Sequence, residues 1–148
     1  HRIDLTFHKL EKKINKVIDE YDKNKGMPIG LAKDLGVITH YIADYFTFPH
    51  NIEYPGTMTE HIHYEAQLKV DFREFVRKMK ETHAHFQEVN MRSADEICAF
   101  IKKCHTEYLH AVKSVENDCR YILQICAQVV GSILHLLQQN SMPLGCYM

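Results

Sequence analysis

Apolar residues recur along this chain at intervals of three and four, the spacing that gathers them on one face of an α-helix. Ile3, Phe7, Leu10, Ile14, Val17, Ile18 and Tyr21 form the first such stripe and predict a helix from about Ile3 to Asn24. Gly26 and Pro28 punctuate the chain and restart it, so a second helix is expected from about Ile29 to Phe46 or Thr47. Pro49 disfavours the helical region for Phe48, which stops that helix and leaves His50 just beyond its end. After a loop of Asn, Pro and Gly residues, Thr57 with Glu60 three positions on makes a capping box that opens a third helix, reaching roughly Phe86. Ser93 and Glu96 repeat the signal before a fourth helix bearing Ile97, Phe100, Ile101, Cys104 and Tyr108. A fifth, from near Ser114 to Gln139, bears Cys119, Ile122, Leu123, Cys126, Val130, Ile133, Leu134 and Leu137. No convincing strand alternation, internal repeat or long linker interrupts this pattern. The expected architecture is all-α: one domain over residues 1–148, built as a single bundle of about five helices.

Composition narrows the function more than the fold. The chain has 148 residues, enough to bury a real core. Its 18 Lys and Arg against 19 Asp and Glu leave no strong electrostatic signal for nucleic acid. The longest apolar run, ICAQVVGSILHLL, is broken by Gln128, Gly131, Ser132 and His135 and reads as too short and too polar to span a bilayer, so no transmembrane segment is expected. Five cysteines, Cys98, Cys104, Cys119, Cys126 and Cys146, cannot all pair and include no CxxC. They read as thiols of a reducing compartment rather than as a disulfide framework or a cysteine-built zinc site.

The candidate chemistry lies in histidines. Four of the eleven, His40, His50, His61 and His63, fall between residues 36 and 68. His40 and Asp44 are four apart on the second helix, so their side chains share one face about 6 Å apart at Cβ. His61 and Glu65 repeat that spacing at the start of the third. Helical steps from His61 and Glu65 lead to Leu68, Phe72, Phe75 and Met79, so this pair sits at the polar end of a buried stripe. His63 leads instead to Gln67 and Val70, and is expected to face water. A buried carboxylate needs a partner, and a divalent ion satisfies both members of the pair. One such pair alone reads as a cap or a surface contact. Two on consecutive helices, flanking a loop with a further histidine, read as a metal site. Nitrogen and carboxylate donors without thiolate favour zinc, with iron or manganese open, and suit a catalytic rather than a structural ion.

The remaining side chains have two readings each. Tyr41, Tyr45, Phe46, Phe48 and Tyr54 surround the motif; they either line a pocket for a choline-like head group or a base, or belong to the core. His83 and His85 read as helix-dipole partners or surface residues. His105, His110 and His135 read as packing or hydrogen-bonding groups. No Ser–His–Asp order, P-loop or dinucleotide fingerprint supports another enzyme class.

The run HYIADYFTFPH, with His40, Asp44 and His50 in order, and the HIHYE that follows it resemble the zinc-dependent phospholipase C family. That family is related to the single-strand-specific zinc nucleases, and the resemblance implies an all-helical fold around a cluster of up to three zinc ions. The family order is an upstream histidine, HxxxD, a histidine soon after, and HxxxE. Here these positions would be His1 (with His8 as the alternative), His40 and Asp44, His50, and His61 with Glu65. The resemblance implies that His1, His40 and Asp44 hold one zinc, that His50, His61 and Glu65 hold a second, and that Asp44 bridges towards a third. If His1 is a mature terminus, its amino group and imidazole could instead chelate an ion together.

The family's N-terminal ligand, early histidine and upstream aspartate, often assigned as general base, have no match here, so the catalytic residue is left unassigned. Either the chain lacks an N-terminal segment of the full family domain, which is the expectation, or it has dispensed with part of the site. The implied activity is hydrolysis of a phosphodiester in a phospholipid head group by metal-activated water, with two or three zinc ions and transient contact with a membrane surface. The alternatives are a nuclease or nucleotidase with the same ions, and a non-catalytic zinc-binding helical module. Cysteine usage leans cytoplasmic, while the family is often secreted.

Overall fold

The computed structural model describes residues 1–20 and 29–141. Their regular elements are α1 (Ile3–Glu20), α2 (Ile29–Tyr45), a short 3-10 turn (Phe48–His50), α3 (Met58–Thr82), α4 (Ala94–His110) and α5 (Val115–Ser141). The described residues are 80% helical, with five α-helices and no strand among them, so the all-α bundle is the fold. Tyr21, Gly26, Pro28, the expected helix end near Asn24, and Cys146 lie outside the described residues.

The apolar stripes are the core. α1 buries Phe7, Leu10, Ile14 and Val17, and α2 buries Leu31, Ile38, Ile42 and Tyr45 at the same three-and-four spacing. α4 buries Ile97, Cys98, Ile101, Cys104 and Tyr108. α5 is the axis, packing against all four other helices. Its buried line runs through Cys119, Ile122, Ile125, Val129, Ile133 and Leu136. Leu123, Cys126, Val130 and Leu134, expected in the core, are only half-buried. Leu123 and Cys126 lie on the flank towards α3, where cover is incomplete.

α5 also corrects the reading of its apolar run. The segment Val115–Gln139 is long and apolar enough to cross a membrane by length and composition. Its apolar face is occupied by the other helices, and Asp118 and Ser132, both buried within it, bond to protein partners. That is the pattern of a core helix. The four cysteines described are free thiols. Burial pushes them up to about 11 at Cys98, Cys104 and Cys119 and about 12 at Cys126, so each stays protonated and inert at neutral pH.

α3 differs from expectation in two ways. It has no buried residue; Leu68, Phe72, Phe75 and Met79 are half-buried against α5. It also ends at Thr82 rather than near Phe86. His83 caps it in the left-handed region at φ 51°, its N–H donating to the Lys80 and Met79 carbonyls. The strand-less segment that follows is tied to α5, with Ser132 Oγ donating to the Val89 carbonyl at 2.7 Å and Gln128 Nε2 to Gln87 at 2.9 Å.

Candidate metal centre

The turn after α2 is built around Pro49. The residue driven into the extended region is Thr47 (φ −113°, ψ 119°), not Phe48, because Phe48 itself opens the 3-10 turn. Asn51 closes the corner, donating to the Tyr45 and Thr47 carbonyls at 3.2 and 3.0 Å and accepting from His105 Nε2 at 2.8 Å. His105 is 6% exposed, and burial lowers its pKa, which holds it neutral in this role. The corner delivers His50 towards the start of α3. There Thr57 and Glu60 form the full capping box, Glu60 N–H donating to Thr57 Oγ1 at 3.2 Å and Thr57 N–H to Glu60 Oε2 at 2.6 Å.

Six side chains meet in two groups. In the first, His40 Nε2 lies 3.5 Å from Asp44 Oδ2. The His1 ring stacks on Tyr41 at 4.3 Å and stands edge-on to His40 at 5.3 Å. The His1 backbone nitrogen donates to Asp44 Oδ2 at 2.7 Å and to His50 Nδ1 at 3.2 Å. In the second, His50 and His61 both donate from Nε2 to Glu65 Oε1, at 2.6 and 3.2 Å. These shared bonds, from His50 first and then His61, hold the Glu65 carboxyl below the usual range.

Within each group, one ligand atom from every member lies within 4.8 Å of the others. Donors about 2 Å from a common tetrahedral zinc sit roughly 3.4 Å apart, so a small side-chain adjustment would close either group on an ion. The donor chemistry, two imidazoles and a carboxylate in each, fits zinc with a position left for water. The Glu65 side chain is 46% exposed, so burial does not by itself demand a counter-ion there; convergence of the donors carries the case.

The other histidines stay apart from both groups. His63 faces solvent as expected, and His8, the alternative to His1, is exposed and in neither group. His85 and His110 are exposed, and His135 Nε2 bonds Gln139 at 3.0 Å.

The aromatic residues divide. Tyr45 and Phe46 are fully buried, so Tyr45 belongs to the core and not to a pocket wall. Its hydroxyl bonds Thr6 at 3.0 Å, and burial pushes it up to about 12. Tyr41 is covered on one face by His1. Phe48 and Tyr54 pack edge-on at 5.1 Å beside the second group, with the Tyr54 ring 6.2 Å from His61. Gly56 permits this placement, since a Cβ there would collide with the Tyr54 ring. Between α2 and α3 runs a groove of about 790 Å³ that reaches both groups at Asp44 and Glu65. Ile62 and Phe72 give it apolar wall, and Lys69 and Arg73 bring positive charge.

Asp118 was not legible as part of this region. It is fully buried, and accepts from Phe48 N–H at 2.8 Å and from the Tyr64 and Tyr108 hydroxyls at 2.7 Å each. Burial raises its pKa, while the three donors pull the other way. Both tyrosine hydroxyls are pushed well above their ordinary range, chiefly by burial and then by the Asp118 carboxylate. The available signal was an acid four residues before Ile122, on the apolar stripe itself.

Two histidine–carboxylate groups at the corner of a helical bundle define an all-α protein with a candidate two-ion centre. The chain belongs to the zinc-dependent phospholipase C family, whose model matches residues 1–115. No curated protein and no solved structure matches. Both candidate groups lie inside the matched stretch, and Asp118 lies beyond it.

Proposed function

We propose that both groups hold zinc and that the protein hydrolyses a phosphodiester in a phospholipid head group. The observation that carries this reading is the convergence of six nitrogen and oxygen donors into two adjacent groups within the family-matched stretch. His1, His40 and Asp44 would hold one ion, and His50, His61 and Glu65 the other. Zinc bound there supplies Lewis acidity at phosphate oxygens and lowers the pKa of a coordinated water towards neutrality.

The chain's own residues supply binding and orientation. The groove between α2 and α3 gives an acyl chain apolar wall at Ile62 and Phe72, while Lys69 and Arg73 attract the phosphate. Phe48 and Tyr54, beside the second group, offer ring faces to a cationic head group. His40 and Glu65, the most exposed member of each group, let a substrate approach from a membrane surface without an opening step.

The test is zinc analysis of the purified protein beside His40→Ala and His61→Ala. At least one zinc per chain is expected in the wild type, with a loss in each variant. Less than one ion per chain, unchanged across all three, refutes the reading. Hydrolysis of a phosphatidylcholine analogue in preference to single-stranded DNA is then expected. The reverse preference would make it a nuclease, and zinc without hydrolysis of either a binding module.

A further inference from the structure

Among the bonds described, Asp118 joins the two separate elements that carry the second histidine–carboxylate group. Its Oδ2 accepts from Phe48 N–H, two residues before His50, and from the Tyr64 hydroxyl, next to Glu65 and three residues after His61. Its Oδ1 accepts from Tyr108 on α4, which pins the carboxylate from the far side. We propose that Asp118 is the positioning residue of the second group, setting the separation of His50 from His61 and Glu65 and hence that group's affinity for a metal. This rests on the reading of the group as a zinc site.

Three physical points support it. First, the Phe48 amide opens a 3-10 turn, where backbone donors lack a partner within the turn; Asp118 supplies one and fixes the orientation of the segment that ends at His50. Second, α3 buries no side chain and packs chiefly on α5, so apolar contact holds its ligand-bearing end only loosely. The Tyr64–Asp118 bond is a short polar tether at that end. Third, hydrogen bonds to a buried carboxylate are short and strong, and Asp118 has no exposed surface through which water could replace them. Ligands held to within about half an ångström are what a preformed site needs, and partners behind the ligands commonly carry that task.

The first group provides an internal control. His40 and Asp44 make no described bond to Asp118, Phe48, Tyr64 or the second group, and His1 reaches that group only through its backbone nitrogen on His50 Nδ1, so His40 is the control signal. A residue that merely stabilised the fold would affect both groups alike, whereas a positioning residue affects one.

The experiment compares the full chain with Asp118→Ala, Asp118→Asn and Tyr64→Phe. Zn2+ is titrated against a competing chelator, and imidazole 15N signals are recorded in metal-free protein. Asp118→Ala is expected to weaken one binding step about 10-fold while the other stays within about twofold. Tyr64→Phe should weaken the same step by less. Asp118→Asn should largely rescue it, since its oxygen can accept from Phe48 and Tyr64 while its amide donates to the Tyr108 oxygen. In metal-free protein, the His50 and His61 signals should move in Asp118→Ala while those of His40 stay.

Equal weakening of both steps, or wild-type affinities with unmoved His50 and His61 signals, overturns the proposal. Should Asp118→Ala fail to fold, Tyr64→Phe decides: an unchanged second step with an unmoved His61 signal is then the overturning result. A wild type that binds no zinc refutes the zinc reading instead, and the metal-free spectra still decide whether Asp118 positions the group.

Discussion

Replacing Glu65 by Gln separates a hydrogen-bonded surface cluster from a metal site. Glu65, whose side chain is 46% exposed, accepts two imidazole bonds at Oε1, at 2.6 and 3.2 Å. Solvent screens such contacts to about 0–1 kcal/mol, and Gln retains one acceptor oxygen. The metal-free loss should therefore stay under about 1 kcal/mol, or about 2–4 °C in Tm for a chain of this size. With zinc at about 100 times its Kd, each occupied site adds about 2.7 kcal/mol to the wild type, which corresponds to roughly 5–10 °C.

Glu65→Gln should lose that increment for one site and keep it for the other. Thermal melts followed by circular dichroism, with chelator and then across a zinc titration, measure both quantities. An identical zinc-dependent shift in wild type and variant would sink the assignment of Glu65. The pH dependence has a fixed sign. Because the His50 and His61 bonds depress the folded-state pKa of Glu65, its contribution is complete above the ordinary value of 4.5 and lost as pH falls through the depressed one. The variant should lack that component.

Three further outcomes follow from the packing. Ile42→Ala deletes a fully buried side chain of α2, the helix that carries His40 and Asp44, and should cost about 2–5 kcal/mol in urea unfolding; a loss below about 1 kcal/mol would contradict its place in the core. Tyr45→Phe removes one bond to Thr6 and should cost about 1 kcal/mol with zinc content and KM unchanged, whereas a raised KM would return Tyr45 to the substrate pocket. Burial lowers the folded-state pKa of His105, so the unfolded chain binds its proton more readily. Stability should be full above about 6.5 and fall as pH drops towards the lowered value, with a shallower fall in His105→Gln; parallel slopes in the two proteins would refute this.

What this sequence determined by itself was local. The start of α3 follows from Thr57 and Glu60, three residues apart, whose reciprocal bonds need no tertiary partner. The pairing of His40 with Asp44 and of His61 with Glu65 follows from one helical turn, and the same geometry removed His63. Other features required the packed molecule. Tyr45 and Tyr41 look alike in sequence, but the rotation of α2 against α1 buries the first completely and leaves the second beside His1. The end of α3 at Thr82 is not legible in periodicity because a left-handed cap at His83 depends on how the following segment binds α5. Asp118 reaches Phe48 across 70 residues and Tyr64 across 54, distances over which helical periodicity carries no information. Periodicity sets which face of a helix is apolar. Only packing several helices together decides which polar side chains meet where those faces close, and here that junction brings the turn at His50, the first turns of α3 and a buried carboxylate of α5 to one corner.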